Sequence, residues 1–434
     1  MSSASELGEP VIVAGGGIGG LTTALTLHEI GVPVRVFESA MTIRPLGVGI
    51  NLQPNAVREL TDLGLADRLP DIGVEAEEWA LVGRNGNDVW AEPRGRHAGY
   101  RWPQFAVHRG ELQMLLLDAV RERCGSDSVI EAHRLLTYEQ AADSVTATFE
   151  DRGAGRTVTV EGPLLVAADG LHSAARRQRF PDEGPPLWGG AVLWRGTAQG
   201  RPIRTGASFT LVGNLEQRFV HYPIGPVDPA TGLQRQNFIA ELTFDPAQGW
   251  DAASWNQTVD PEVFLPAFAD WDFDWLDIPA LVGRAEQVWE YPMVDRDPAP
   301  TWVDSRVALL GDAAHVMYPV GSNGASQAIV DARVLGASLV EHGLTPDALA
   351  AYQDRLHEDI SALVLRNREA GPVAILGTVD ERCGGVFDDI DDVIPRAEVE
   401  SFMARYKAAA GFAVETLNAA PRTLPEGATL TPRS

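Results

Sequence analysis

The stretch from Val11 to Glu38, VIVAGGGIGGLTTALTLHEIGVPVRVFE, contains the pattern that decides the fold of this chain. Its first four residues are apolar and predict a buried parallel strand, and a glycine-rich turn follows them. Leu21 to Ile30 then has apolar residues at helical spacing, and a second apolar strand, Val34 to Phe37, ends at the acidic Glu38. This succession of strand, turn, helix, strand and acid is typical of a Rossmann-like dinucleotide-binding unit.

The turn GGGIGG at residues 15–20 fits the G-x-G-x-x-G pattern. Gly15 permits the tight turn, Gly17 lets the backbone approach a pyrophosphate, and Gly20 lets the helix pack closely on the strand. The helix N-terminus, with Ile18 and Gly19 in its first turn, directs unpaired N–H groups and a partial positive charge at the phosphates. We therefore expect these five residues to bind a nucleotide.

Glu38 follows Gly20 by eighteen residues. At that distance an acidic side chain accepts the two ribose hydroxyls of an adenosine. A carboxylate there also disfavours a 2′-phosphate, because two anions would meet. The expected ligand is therefore FAD or NAD and not NADP, with Ser39 in the same site.

A second glycine-rich segment lies about three hundred residues later, from Arg306 to Gly336: RVALLGDAAHVMYPVGSNGASQAIVDARVLG. It consists of an apolar run, an acidic turn, a glycine-rich loop and a helical pattern. The best reason for one chain to have both segments is a flavin dinucleotide that is stretched between them.

Composition narrows the possible partners. The 434 residues include 35 Lys and Arg but 60 Asp and Glu, a net charge of -25. Such a charge disfavours nucleic acid and an anionic membrane surface. The only two cysteines, Cys124 and Cys383, suit a reducing cytoplasm and exclude a disulfide scaffold. The chain has neither a signal peptide nor a long apolar run, so we expect a cytoplasmic protein, a monomer or a homodimer, without a metal site.

The segments along the chain predict a mixed α/β (α+β) fold class. A Rossmann-like FAD-binding domain is interrupted twice by a β-sheet substrate domain and is followed by a C-terminal helical extension. The predicted ranges are 1–76, 105–187 and 291–374 for the first domain, 77–104 and 188–290 for the second, and 375–434 for the extension. Within the second domain we expect a helix from Pro261 to Trp275. The residues from Pro421 onward are rich in Pro and Thr, and we expect a loose tail there.

Three motifs carry a family resemblance through their order and separation. They are GGGIGG at 15–20, ADG at 168–170 and GDAAH at 311–315. With them the chain resembles the single-component (group A) FAD-dependent aromatic hydroxylases of the p-hydroxybenzoate hydroxylase class. Within that class it closely resembles the phenazine-carboxylate hydroxylase of pyocyanin biosynthesis. The likeness extends to about residue 370 and includes RPLGVGIN at 44–51, HRGELQM at 108–114, YPMVDRDP at 291–298 and MYPVGSNGASQAI at 317–329.

The resemblance implies roles at the second glycine-rich segment. Asp312, after Gly311, is expected to accept hydrogen bonds from the ribityl chain of FAD, a role compatible with capping a helix. The loop of Gly321, Ser322, Asn323 and Gly324 is expected to begin a helix whose N–H groups face the flavin pyrimidine edge. The helix dipole would there stabilise the negative charge of the reduced ring. Pro319 is expected against the ring where dioxygen reacts.

The resemblance implies further cofactor contacts in the first half of the chain. Arg109 is expected at the dinucleotide phosphates or ribose, with Gln113 one helical turn later; a surface ion pair is the alternative for Arg109. The segment of Gly47, Val48 and Gly49 is expected beside the isoalloxazine, where missing side chains would leave the ring room to swing.

The resemblance implies two more roles in this half of the chain. Leu135 is expected to contact the adenine through its backbone. Asp169 of the ADG motif, with His172 and Arg176 after it, is expected either to contact the cofactor or only to tie two loops together.

Candidates for the substrate pocket come from the aromatic-rich second domain and from the flavin side. The candidates are Trp194, Arg195, His221, Tyr222, Phe238, Met317, Tyr318 and Pro319. Core packing is the alternative for the aromatic residues, and a surface salt bridge is the alternative for Arg195. His221 or Tyr222 would orient or deprotonate a phenol or a ring nitrogen if either were not simply packed.

The resemblance implies an FAD-dependent monooxygenase that uses O2 and NADH or NADPH as a transient reductant. It would hydroxylate a phenazine-, quinoline- or salicylate-like substrate through a flavin C4a-hydroperoxide, with or without loss of a carboxylate, as an enzyme of secondary metabolism. The cofactor supplies the chemistry, so no catalytic triad is expected. Two alternatives remain open: a same-fold flavoprotein that epoxidises, performs Baeyer–Villiger oxidation or only reduces its substrate, and a non-catalytic protein that binds aromatic ligands.

Overall fold

The structure is a computed structural model that describes residues 9–249, 257–369, 371–410 and 414–430. The strands, in chain order, are β1 (Val11–Ala14), β2 (Val34–Phe37), β3 (Gly49–Leu52), β4 (Gly73–Glu75), β5 (Glu78–Val82), β6 (Asp88–Pro93), β7 (Phe105–His108), β8 (Val129–Ile130), β9 (His133–Gln140), β10 (Val145–Asp151), β11 (Arg156–Gly162), β12 (Leu165–Ala167), β13 (Leu187–Gly200), β14 (Ser208–Gly213), β15 (Gln217–Val227), β16 (Gln234–Thr243), β17 (Gln257–Val259), β18 (Asp272–Phe273), β19 (Leu276–Asp277), β20 (Val288–Asp295), β21 (Val303–Asp304) and β22 (Val307–Leu309).

The α-helices are α1 (Ile18–Glu29), α2 (Pro54–Asp62), α3 (Arg109–Cys124), α4 (Ala174–Arg179), α5 (Ile278–Val282), α6 (Asp312–His315), α7 (Gly324–His342), α8 (Pro346–Arg366), α9 (Ala374–Cys383), α10 (Arg396–Ala410) and α11 (Val414–Ala419).

A six-stranded sheet in the order β21-β22-β12-β1-β2-β8 forms the first layer, and every pairing in it except β21 with β22 is parallel. Its central strands β1 and β12 are continuous apolar runs that are fully buried. Such runs are typical of parallel strands that are covered on both faces. α1 packs against both α3 and α7. Its N-terminus lies at the carboxyl end of β1, because only the turn of residues 15–17 separates the two elements.

An eight-stranded sheet in the order β17-β20-β13-β16-β15-β14-β5-β6 forms the second layer. Its two faces belong to two separate apolar clusters, because successive side chains of a strand point to opposite faces. A small sheet of β3, β7 and β4 contacts β15 and β16 on one of these faces. Because the isoalloxazine is expected beside Gly47, Val48 and Gly49 at the start of β3, we name that side the flavin-side face and the other side the far face.

The helix predicted from Pro261 to Trp275 is wrong. That stretch contains the short 3-10 helices Pro261–Val263 and Leu265–Phe268, followed by the β18–β19 hairpin. Pro266 removes a backbone donor, and Asp270, Asp272 and Asp274 alternate with aromatic residues in the period of a strand.

The loose tail predicted from Pro421 onward is also wrong for residues 421–430. Leu424 is fully buried, Thr423 Oγ1 donates to Glu59 Oε1 at 2.7 Å, and the Leu430 N–H donates to the Ile30 carbonyl at 2.9 Å. The tail thus docks on α1 and α2, and a Cβ added to Gly336 of α7 would lie 3.0 Å from Leu424 Cδ1. Composition did not indicate this because two side chains, and not the average of the segment, make the contact.

Candidate functional site

The first glycine-rich turn is built as a phosphate site. Added Cβ atoms at Gly15 and Gly20 would lie 2.2 Å and 1.9 Å from backbone carbonyl oxygens, so both positions require glycine. A Cβ at Gly17 would meet nothing within 4 Å, and no side chain caps α1 at this residue. The turn therefore presents open N–H groups to a ligand. Gln113 Nε2 donates to the Gly16 carbonyl at 2.7 Å and so holds the turn.

Glu38 lies at the end of β2 beside this turn. Its Oε2 accepts from the Gly16 N–H at 2.7 Å, and its Oε1 accepts from the Ala40 N–H at 2.7 Å and from Ser39 Oγ at 3.1 Å. These contacts fix the carboxylate, which is only half-buried, with remaining acceptor capacity for ribose hydroxyls. Leu135 lies in β9 with its side chain in the core.

The GDAAH turn is held from below by Asp331 of α7. Asp331 Oδ2 accepts from the Gly311 N–H at 3.1 Å and lies 2.6 Å from His315 Nε2, and Gln327 Nε2 donates to its Oδ1 at 2.9 Å. Burial alone would lower the pKa of His315, but the Asp331 carboxylate outweighs it and the pKa is raised. The turn thereby presents Asp312, which is exposed, toward the open side of the sheet.

The loop after this turn ends in a second open helix N-terminus. Ser322 has a positive φ of 56°, a strained conformation that is typical of functional loops. α7 begins at Gly324 without a side-chain cap, and a Cβ at Gly324 would meet nothing within 4 Å. Pro319 is exposed at the start of the loop. Gln53 joins the loop to β3, because its Nε2 donates to the Gly321 carbonyl at 2.9 Å.

The segment of Gly47, Val48 and Gly49 is fixed at every peptide. The Gly47 carbonyl lies 2.9 Å from His108 Nε2, and the Val48 carbonyl accepts from the Arg109 N–H at 2.9 Å. A Cβ at Gly47 would come no closer than 3.6 Å to another atom, whereas one at Gly49 would lie 2.6 Å from Asn237. Only Gly47 therefore leaves room for a ring, and Gly49 makes room for the neighbouring sheet.

Arg109 runs beside Gly47 with an exposed side chain. Arg109 has no ion-pair partner among the described residues. The surface ion pair, which was the alternative role for Arg109, is therefore not formed with any of them. The two open helix N-termini, Glu38, Asp312 and this guanidinium together fit a long dinucleotide with a pyrophosphate near its middle. The residues present thus match the donors and acceptors that FAD requires.

The flavin-side face carries a polar group beside Gly49. Asn237 Oδ1 accepts from the Gly49 N–H at 2.7 Å, and Arg195 Nη2 donates to the Gly49 carbonyl at 3.0 Å. Tyr222 is hydrogen-bonded to Arg195, and burial raises the pKa of its hydroxyl to about 12. Asn237 Nδ2 and Arg195 Nε are buried and have no partner among the described residues. Two unsatisfied donors therefore lie beside the Gly47–Gly49 segment, where a buried donor without a partner is unfavourable.

Residues 9–366 match the family model described as FAD binding domain. This chain belongs to that family of flavoproteins. The match covers both glycine-rich segments, so FAD is the cofactor.

Characterised relatives agree with this assignment. The chain is 44% identical over 364 residues, 83% of this chain and 89% of the relative, to phenazine 1,6-dicarboxylic acid hydroxylase of Lysobacter antibioticus. It is 31% identical over 372 residues, 83% of this chain and 87% of the relative, to a 3-amino-4-hydroxybenzoate 2-monooxygenase of Streptomyces platensis. Among solved structures, Klebsiella pneumoniae HpxO in complex with FAD and uric acid is 25% identical, with a TM-score of 0.72 over 95% of this chain and 97% of that chain.

These findings confirm the predicted mixed α/β fold class, the FAD cofactor and an FAD-dependent aromatic monooxygenase. In the described ranges no helix is long and apolar enough to cross a membrane. Within the same ranges no group of three or more His, Cys, Asp or Glu side chains is placed to hold a metal.

Three of the pocket candidates lie on the far face of the flavoprotein's large sheet. Trp194 stacks on Phe264 with ring centroids 5.0 Å apart, and its Nε1 donates to Glu290 at 2.7 Å. Phe238 is fully buried beside Phe219 in the same far-face cluster. The structure therefore places them in a core and not at the flavin, because strand alternation separates them from Arg195.

His221 is the third candidate on the far face. Its ring is fully buried, its Nε2 lies 2.8 Å from Gln236 Oε1, and burial lowers its pKa to about 4. A neutral imidazole on the far face neither contacts nor deprotonates a ligand at Gly49. The packed alternative therefore describes His221.

Met317 and Tyr318 are both buried at the flavin side. Met317 belongs to the core around the six-stranded sheet. The Tyr318 hydroxyl lies against Gly189 of β13, where an added Cβ would come within 2.6 Å of it. Of the eight pocket candidates, the three on the far face are thus excluded by the structure, and the other five stay predictions.

The ADG motif ties loops together in this structure. Asp169 Oδ2 accepts from the Ala174 N–H at 2.7 Å at the start of α4, while its Oδ1 is buried without a partner among the described residues. Arg176 is buried and donates to the Ala313 and Ala314 carbonyls at 3.2 and 2.7 Å. The motif therefore supports the GDAAH turn from the side of α4.

Sequence reasoning missed Asn237 and Asp331. Asn237 stands in an alternating strand, QRQNFIAELT, where a polar residue beside Phe238 gives no indication of the glycine it meets across the molecule. Asp331 follows Gln327 by four residues on α7, and His315 belongs to the GDAAH motif. The sequence offered one indication of a partner for that histidine: Asp331 follows Gln327 by one helical turn in an otherwise mostly apolar helix, where a charged residue needs a polar partner.

Proposed function

We propose that this flavoprotein hydroxylates a fused-ring or heteroaromatic acid, of phenazine, quinoline or salicylate type, with O2 and NADH or NADPH. The observation that carries the proposal is the polar group beside Gly49. Arg195 is a cation with a buried N–H that has no partner, and Asn237 adds a second free donor. A carboxylate is the anion that two such donors suit best.

The relatives support the same substrate class. The names of the two relatives described above specify a phenazine dicarboxylic acid and an aminohydroxybenzoate, both of them aromatic acids. Neither name fixes the substrate here, because specificity depends on side chains that a shared fold does not determine.

FAD, when bound, supplies electron transfer from the nicotinamide and the activation of dioxygen. The chain's own residues hold and orient the cofactor and the substrate. The open N-terminus of α7 at Gly324 stabilises negative charge on a ring placed before it. Tyr222, with its raised pKa, stays protonated and donates a hydrogen bond to the substrate.

Arg195 anchors the substrate's carboxylate, so that one edge of the aromatic ring is directed away from Gly49. The apolar flavin-side face around this anchor, including Leu193 and Ile239, excludes water. Water in the site would allow dioxygen to be released as hydrogen peroxide, with loss of the reducing electrons, instead of oxidising the substrate.

The test uses the purified FAD-loaded protein and a panel of phenazine, quinoline and salicylate-like acids. Stimulated NADH and NADPH oxidation, together with one labelled oxygen atom in the product under labelled dioxygen, is the expected result. Product mass also separates simple hydroxylation from hydroxylation with loss of the carboxylate. Stimulated oxidation without label in the product contradicts the hydroxylase, and ligand binding without any oxidation indicates a binding protein.

The organisation of the protein is part of the proposal. We place the substrate in a domain of residues 77–104 and 188–290, inserted into the FAD-binding domain. The acidic composition and the two free cysteines support a cytoplasmic monomer or homodimer that binds neither nucleic acid nor membrane. Limited proteolysis tests the domain boundaries, and light scattering tests the oligomeric state.

A further inference from the structure

The residues after Arg366 lie outside the range matched by the family model, and the first of them contact the loop between α6 and α7. From here on we call residues 367–369 and 371–403 the extension. Asn367 is buried, and its Nδ2 donates to the Tyr318 carbonyl at 3.2 Å, next to Pro319. Arg368 donates to Asp295 through Nε at 2.6 Å and to Asp297 through Nη1 at 2.8 Å. The extension is therefore anchored to the loop before α7 and to the end of β20.

From this anchor the extension covers the flavin-side face. Val373, Ile375, Leu376 and Val379 are between 1 and 4% exposed. They belong to the same apolar cluster as Leu193, Tyr222 and Ile239 of the sheet. α9 also lies close against the β14–β15 hairpin, since a Cβ at Gly377 would be 2.8 Å from Leu215 Cδ1.

The far end of the extension is anchored as well. The Phe387 carbonyl accepts from Asn85 Nδ2 at 2.7 Å and from Asn87 Nδ2 at 2.6 Å, both in the β5–β6 hairpin. Ile394, Val399 and Met403 then add further apolar contacts to the flavin-side cluster. The described part of the segment is thus fixed at both ends and buries several apolar side chains between them, so it forms a structural wall.

The wall and the sheet differ in chemistry. The sheet offers Arg195, Tyr222 and Asn237 near Gly49, whereas the buried positions of residues 372–379 are all apolar. An aromatic acid bound at this boundary would place its carboxylate on the sheet and its ring system against the extension. Such a division of polar and apolar contacts is usual for small-molecule sites.

We infer that residues 371–383 roof the aromatic site and that Val373 and Leu376 set the size of the ring system it accepts. This inference rests on the proposed function and extends it. The residues that choose among one-, two- and three-ring acids then lie beyond the segment shared across the family.

The test replaces Leu376 with Phe to narrow the site and with Ala to widen it, in the full-length FAD-loaded protein. Val386→Ala is the matched control, because Val386 lies in the same extension and is 57% exposed. kcat/KM is measured for a salicylate-like, a quinoline and a phenazine acid. Leu376→Phe is expected to lower kcat/KM for the phenazine acid about tenfold more than for the one-ring acid, and Leu376→Ala to shift this ratio the opposite way.

Equal changes for all three acids in both variants, with FAD content retained, overturn the inference. Val373→Ala and Val373→Ile give the same test if a Leu376 variant does not fold. Dissociation constants for the three acids, from changes in flavin fluorescence, report the ratio without turnover. If no acid stimulates NADH oxidation in the unmodified protein, the hydroxylase proposal fails. The ratio of the dissociation constants for the three acids still tests whether Leu376 limits the size of the bound ring system.

Discussion

Trp194 and Arg195 are neighbours in the chain and lie on opposite faces of the same sheet. On the far face, Trp194 and Phe238 pack into an aromatic core with their polar atoms satisfied or absent. On the flavin-side face, Arg195 and Asn237 keep buried donors without a partner. The difference indicates that one aromatic-rich strand packs a core with one face and, on the proposed function, binds substrate with the other. Substitutions on the two faces should therefore change different quantities.

The largest effect is expected on the far face. Phe238→Ala removes a fully buried ring and should lower the free energy of unfolding by about 3–5 kcal/mol. Chemical denaturation measures this loss. The relative kcat/KM values for different aryl acids should stay unchanged in the folded enzyme. A changed preference would place Phe238 in the binding site and break the distinction between the faces.

On the flavin-side face the expected effect is on binding. Arg195→Ala should lower kcat/KM for an aryl acid by about 10- to 100-fold, as expected for a hydrogen bond to a charged group of about 1.5–3 kcal/mol. The free energy of unfolding should change little, because the side chain is only half-buried. Steady-state kinetics with an acid and with its uncharged amide measure the difference. Equal losses for both compounds would show that Arg195 does not hold a carboxylate.

The free energy of unfolding should also decrease in acid because of His221 on the far face. The pKa of His221 is lowered from 6.5 to about 4 by burial, so the unfolded chain takes up a proton more readily than the folded one. Its stabilising contribution is complete above about pH 6.5 and is lost progressively as the pH falls toward 4, by roughly 2 kcal/mol at pH 5. Denaturation curves at pH 7 and 5 for the unmodified protein and for His221→Gln measure this. An identical pH dependence in both would exclude His221 as the source.

The smallest effect is expected at Tyr222. Tyr222→Phe removes one neutral hydrogen bond and should lower kcat/KM by about three- to tenfold. The pH profile should keep its shape between about pH 6 and 9, because a phenol with a pKa of about 12 stays protonated there. The pH dependence of kcat/KM for both proteins decides this. If kcat/KM of the unmodified protein instead rises with increasing pH and the variant loses that rise, Tyr222 acts as a proton acceptor.

The cofactor half of the site was predictable because its chemistry is local. Gly15, Gly17 and Gly20 are specified by a turn and a helix start that are contiguous in the chain, and the structure gives each a distinct steric reason. The substrate half was not predictable in the same way. Sequence reasoning selected Trp194, Phe238 and His221 for their chemistry. Because side chains alternate along a strand, all three lie on the far face and not on the face with Arg195.

The C-terminal region shows the same limit. Its helical character was evident, yet the docking of Leu424 on the first layer and of Leu376 on the flavin-side face was not. Such contacts join residues hundreds of positions apart, and a single apolar side chain carries no information about its partner.

The sequence by itself determined the dinucleotide-binding unit, the second glycine-rich segment with Asp312, and the class of chemistry that follows from them. These features depend on backbone conformations that adjacent residues dictate. Only the tertiary structure decided that Asn237 and Arg195 meet at Gly49, and that Leu376 and its apolar neighbours pack on the same face of the large sheet. Strand pairing and burial across the molecule fix those contacts, because they arise from the packing of segments that are far apart in the chain.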